Sequence, residues 1–141
     1  MDNLTGFFFF SEDIDFEYSE TPSINGVLEK ILVDHQETLG NISVIFCSDE
    51  YLLNMNKEYL QHDFFTDIIT FPMNQSPMSG DLFISIDRVR ENAIKSKSSF
   101  NEELNRVIIH GVLHLVGYGD KSGEEVEVMR NKEDFYLNMC L

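Results

Sequence analysis

Residues His110 to Asp120 read HGVLHLVGYGD. Two imidazoles stand four residues apart, so on a helix they share one face. Gly117 can end that helix, and the chain can then fold back to offer Asp120 as a third ligand. Two nitrogens and a carboxylate, with a fourth position open, suit a working metal site better than a purely structural one. Core histidines bonded to backbone carbonyls are the plainer alternative. The glycine and aspartate that follow the pair favour the metal.

The surrounding residues say how the pair must be held. At about 100° per residue, Leu104, Val107, Ile108, Val112 and Leu115 make one apolar face, and Ile109, Leu113 and Val116 cover much of the other. A narrow polar stripe of Glu103, Arg106, His110, His114 and Gly117 remains. A helix that is apolar nearly all round is buried. Polar groups on it must find partners, and one ion would satisfy both imidazoles.

The spacing is also that of metzincin ligands, but the zinc-protease pattern HExxH puts glutamate, the general base, directly after the first histidine. Here Gly111 stands there, which argues against a protease and lets another segment pack closely. Asp67 is the better substitute base, with Asp81 second; either could instead be a turn or cap carboxylate at a strand edge. Phe64-Phe65 could stack unpaired bases or belong to the core, and Tyr118 carries the same ambiguity.

The chain of 141 residues is the size of one domain, which predicts a single metal-dependent hydrolase domain over 1–141. A chain this long buries roughly 68% of its unfolded surface. Two cysteines, Cys47 and Cys140, show no framework spacing, which predicts a reduced, cytoplasmic setting; Cys140 could also be the fourth ligand of a closed structural zinc. The first residues lack a basic leader, and FFFF at 7–10 is too short to span a membrane, so it reads as a buried or edge strand.

The net charge of −15 opposes a nucleic-acid partner, since phosphate binding leaves a basic footprint. The distribution softens this. Residues 1–56 hold eleven acids and one base, Lys30, and read as solubilising surface, whereas residues 88–106 hold five bases against three acids. Arg88, Arg90, Lys95 and Lys97 are therefore candidate RNA contacts, or simply a solvated helix face.

Periodicity predicts strands over 4–10, 42–47, 67–71 and 81–86. Helices are expected over 24–37 (capped by Ser23), from Ser48 or Asp49 to 60, from an Asp87 cap to 97, over 100–117 and over 122–139. Residues 11–22 read as acidic and irregular, Gly40-Asn41 as a break and 72–80 as a loop. Leu52, Leu53, Met55, Asn56 and Tyr59 carry the second helix, and Val126, Met129, Phe135, Tyr136 and Met139 are the inward positions of the last. This is an α/β (α+β) domain with one small sheet.

HGVLHLVGYGD resembles the HGxLHLxGYDH signature of the YbeY family of bacterial rRNA-maturation endoribonucleases. NKEY at 56–59, TDIITFP at 66–72, GDLFIS at 80–85 and the pair Met129 and Glu133 resemble further segments of that family, in its order. The resemblance implies a mixed sheet of about four strands among about five helices, with the metal helix central. It implies a cytoplasmic, zinc-dependent hydrolase that cuts single-stranded RNA, not DNA, in small-subunit rRNA 3′-end processing and ribosome quality control. Nickel or iron could stand in for zinc.

Three positions depart from the family pattern. Asp120 stands where it usually has histidine, Gly119 where it has aspartate, and Leu60 where arginine commonly follows the tyrosine. Two neutral histidines and a carboxylate leave a site charge of about +1, against +2 for three histidines, which makes bound water less acidic. Arg106 could replace the lost arginine as a phosphate contact. The Leu60 and charge arguments also fit another protein: a ribosome-assembly factor that keeps the metal and cleaves little.

Overall fold

The computed structural model describes residues 5–18 and 22–140. Four strands form one mixed sheet in the order β1-β2-β4-β3. They are β1 (Gly6–Ser11), β2 (Leu39–Cys47), β3 (Ile68–Gln75) and β4 (Met78–Ser85). β1, β2 and β4 run parallel, while β3 pairs antiparallel with β4. Helices α1 (Pro22–Asp34), α2 (Asp49–Leu60), α3 (Ile86–Ser96), α4 (Phe100–Leu115) and α5 (Gly123–Leu137) complete it, with a 3₁₀ turn at Asn138–Cys140. The Phe run is an edge strand, as its composition predicts. Among the described residues no helix is long and apolar enough to cross a membrane.

Strand alternation divides the helices between two faces. Ile42, Val44 and Phe46 of β2 and Leu82 and Ile84 of β4 meet side chains of α1, α3, α4 and α5 in the main core. Cys47 and Ile69 turn the other way and pack with Leu52 of α2. Helix α4 is central: Leu104, Val107, Ile108, Ile109, Gly111, Val112, Leu113 and Leu115 are all buried.

Several boundaries differ from expectation for identifiable reasons. Pro72 does not end β3, because β3 is an edge strand whose outer backbone needs no partner. The 72–80 stretch is therefore mostly strand. It forms a hairpin turning at the cis Ser76–Pro77 bond, with Asn74 Nδ2 donating to Pro77 O at 3.0 Å. Gly40-Asn41 lies inside β2, where a Cβ on Gly40 would come within 2.8 Å of Met78 O; glycine permits the close approach of β2 and β4. Helix α3 is capped by Ser85, whose Oγ accepts from Arg88 N at 3.1 Å, and Asp87 falls in its first turn. Helix α1 starts at Pro22, so Ser23 lies within it and not before it. Leu4 and residues 19–21 lie outside the described residues.

The faces of the terminal helices also differ in part. On α5, Met129, Glu133, Tyr136 and Leu137 are buried, while Val126 and Phe135 are exposed. Phe135 sits about 120° round the helix from Met129; Val126, in the first turn, lines a cleft beside His110 and Asp120. On α2, Leu52 and Asn56 are buried and Tyr59 is exposed. In 12–18 the acids face water while Ile14, Phe16 and Tyr18 pack against the core.

Candidate metal centre

The His110 and His114 rings stand 4.6 Å apart on one face of α4. Their exposure there follows from the sequence: the rest of that helix is apolar and takes the buried positions. Gly111 is what lets the helix lie so low. A Cβ there would meet Ile68 Cδ1 and Leu82 Cδ1 at 2.8 Å. Glycine thus brings the histidine-bearing turn directly onto β3 and β4, and a glutamate would have no room.

Asp120 is delivered by a turn anchored at both ends. Gly117, at φ 116°, ends α4 in a conformation that side chains disfavour. Tyr118 N then donates to Leu113 O at 3.0 Å, and the Tyr118 hydroxyl bonds His35 Nε2 at 2.8 Å. Beyond Asp120, Ser122 and Glu125 form a capping box, with Glu125 Oε1 accepting from the backbone of Lys121 and Ser122 at 3.1 Å each. Tyr118 is thus a fastener of the turn.

Asp120 Oδ2 lies 3.2 Å from His114 Nε2 and 3.4 Å from His110 Nε2. Three donors bound tetrahedrally at zinc–ligand lengths stand roughly 3.3 Å apart. One ligand atom from each residue lies within 4.8 Å of the others, so the group could hold a metal ion.

Behind the donors stands Glu133, a residue whose role sequence reasoning missed. It is 6% exposed, and its Oε2 lies 2.6 Å from His110 Nδ1. That bond leaves His110 Nε2 free to face Asp120. Arg106 secures the carboxylate, donating from Nη1 to Glu133 Oε1 at 3.0 Å and from Nη2 to Asp134 Oδ1 at 2.6 Å. The available signal was the spacing of Glu133 four residues after buried Met129, which put an acid on the inner face of α5.

The electrostatics favour a cation. Burial works against charge on His110, but the Glu133 hydrogen bond, with Asp67 and Asp120 nearby, outweighs it and raises its pKa. Burial raises the pKa of Asp67, although His110 opposes the shift. Two imidazoles ringed by three carboxylates form a site that draws positive charge.

Asp67 lines a cleft of about 510 Å³ together with His110, His114, Asp120, Leu60 and Lys121. It also lines a second cleft on the other side of His110, with Lys95 and Arg130. Lys121 was not singled out from sequence, and its place directly after Asp120 was the clue. Asp81 is elsewhere: it points to the opposite sheet face and lines a groove with Tyr51 and Phe83, which removes it as a base. Cys140 is not in the ligand group.

The other basic candidates are dispersed. Arg88 pairs with Asp49 at 2.7 Å and lies 5.3 Å over the Phe65 ring. Arg90 lies 5.3 Å over Phe100. Lys95 faces the second cleft, and Lys97 caps α3 in the left-handed conformation. Phe64 and Phe65 are both exposed, so the core reading of that pair is overturned.

A family model described as Endoribonuclease YbeY matches residues 11–140. A protein of that name from Cytophaga hutchinsonii is 46% identical over 134 residues, covering 94% of each chain. Another, from Parabacteroides distasonis, is 45% identical over 127 residues, covering 89% of each. The solution structure of TM1509 from Thermotoga maritima shares the fold, with a TM-score of 0.63 at 24% identity over 95% of this chain and 88% of that one.

Proposed function

Because the chain belongs to the YbeY endoribonuclease family, we propose that it is a cytoplasmic, zinc-dependent endoribonuclease, its whole length one hydrolase domain. Its substrate is single-stranded RNA of the small ribosomal subunit, and its role is maturation of the rRNA 3′ end and ribosome quality control. The observation that carries this is the convergence of His110 Nε2, His114 Nε2 and Asp120 Oδ2 in an open cleft.

His110, His114 and Asp120 would hold the ion, which supplies Lewis acidity toward a phosphate oxygen and acidifies water. Glu133 accepts a hydrogen bond from His110 Nδ1–H and so favours the tautomer that leaves Nε2 as the ligand atom facing the cleft. Asp67, made more basic by burial, takes the proton of the attacking hydroxyl, whether from water or from the 2′-position of the RNA. We assign Arg106 to hold Glu133 in place, since both its terminal nitrogens are engaged. Lys121, which lines this cleft, and Lys95, which lines the neighbouring one, are assigned to meet phosphates. Arg88, Arg90 and Lys97, which line neither cleft, are assigned as more distant RNA contacts.

Cleavage of unstructured RNA by metal-loaded native protein, absent in His114→Ala and weak on a duplex, is the expected result. Tight binding of small-subunit particles with the RNA left intact would favour the assembly-factor reading instead.

A further inference from the structure

The loop between α2 and β3 lines the metal cleft, and it is held firmly. Gln61 takes the left-handed conformation at φ 58° and turns the chain out of α2. His62 N then donates to Asn56 O at 3.0 Å. The Asn56 side chain reaches forward, its Nδ2 donating to Phe64 O at 2.9 Å. Asn56 is 1% exposed. One buried residue therefore grips segment 62–64 from both ends.

What this segment presents is aromatic. The His62 and Phe64 rings are stacked, 5.0 Å apart and 20° from parallel. Phe64 nevertheless remains 55% exposed. Both rings line the cleft that contains His110, His114 and Asp120. Phe65 does not share this role, because its ring faces the Arg88 guanidinium. Leu60, in the same cleft, adds apolar surface and no charge.

We propose that the stacked His62–Phe64 pair is a platform for one unpaired nucleobase beside the cleaved phosphodiester, with Asn56 as the positioning residue that sets it. The proposal rests on the reading that this cleft cuts RNA. A base within a duplex is covered by its neighbours on both faces, whereas an unpaired base can lie on a protein ring. Stacking tolerates every base because every base has a π-face. A platform of this kind gives preference for single strands without preference for sequence.

The test uses the full chain, with native, Phe64→Ala, Phe64→Tyr and Asn56→Ala proteins and a short unstructured oligoribonucleotide. Binding is read by fluorescence anisotropy on metal-free protein, and KM and kcat on metal-loaded protein. Phe64→Ala should weaken binding and raise KM about tenfold while kcat and metal content hold. Phe64→Tyr should restore both values, and Asn56→Ala should follow Phe64→Ala. An abasic ribose beside the cleaved bond should penalise native protein to a similar degree and add nothing further in Phe64→Ala. Native-like binding and KM in Phe64→Ala, or an abasic penalty that adds in full, overturns the platform. Native protein that binds the oligomer through Phe64 yet never cuts it would leave the platform standing and refute the nuclease reading.

Discussion

Glu133 Oε2 lies 2.6 Å from His110 Nδ1, and this contact decides which nitrogen of His110 faces the cleft. The carboxylate comes from α5 and the imidazole from α4, so docking of the two helices and orientation of the ligand are one event. Arg106 completes the chain by binding Glu133 and Asp134 together.

Replacing Glu133 by Gln should therefore weaken metal binding. Loss of such an outer carboxylate costs about 10–100-fold in affinity. Competition with a chromogenic chelator would measure it; superimposable native and Glu133→Gln titrations would remove Glu133 from the account.

Gly111→Ala sets two effects against each other. Alanine gains up to about 1 kcal/mol of helix propensity. The new Cβ, 2.8 Å from two core methyls, costs about 1–3 kcal/mol by overpacking. The expected outcome is lower stability in urea, together with weaker metal binding as His110 is pushed from the sheet. A more stable variant would show that Ile68 and Leu82 yield freely.

The metal motif was legible because its residues are local. His110, His114, Gly117 and Asp120 lie within eleven positions, and the apolar faces of α4 are equally plain. Glu133 and Arg106 were harder, since their pairing depends on how α4 and α5 dock. The β3–β4 hairpin was misread because Pro72 and the Ser76–Pro77 turn resemble a loop in composition. Only the edge position of β3, a property of the whole sheet, makes proline acceptable there. Asp81 and Asp67 look alike as sequence; they part because Asp81 lies within β4 on the face of Phe83, whereas Asp67 precedes the first residue of β3 and turns to the cleft of His110.

Tyr136 ties the fold together at long range, its hydroxyl donating to Asp34 Oδ2 at 2.7 Å. That bond, aided by Lys30, lowers the Asp34 pKa. A carboxylate with a depressed folded pKa adds stability above its unfolded value, near 4, and loses it as pH falls through the folded one. Tyr136→Phe should melt earlier than native at pH 7, with the difference shrinking below about pH 4. A difference independent of pH would mean that the hydroxyl matters through packing alone.

Burial, reinforced by Asp13 and Asp87, pushes the Cys47 thiol up to about 12. Since the folded pKa is raised, the stabilisation is intact below the ordinary thiol value of 9.0 and fades as pH climbs from there through about 12. Native protein at pH 8 should leave Cys47 unalkylated until denaturant is added, as mass mapping of the labelled peptide would record. Rapid labelling in the native state would contradict its burial.

The central claim is that His110, His114 and Asp120 grip a single ion. Elemental analysis of zinc-saturated, gel-filtered protein tests it, comparing native with His114→Ala and Cys140→Ser. The prediction is about one zinc per chain in native and Cys140→Ser, and almost none in His114→Ala. Equal metal in native and His114→Ala would contradict the account at its root.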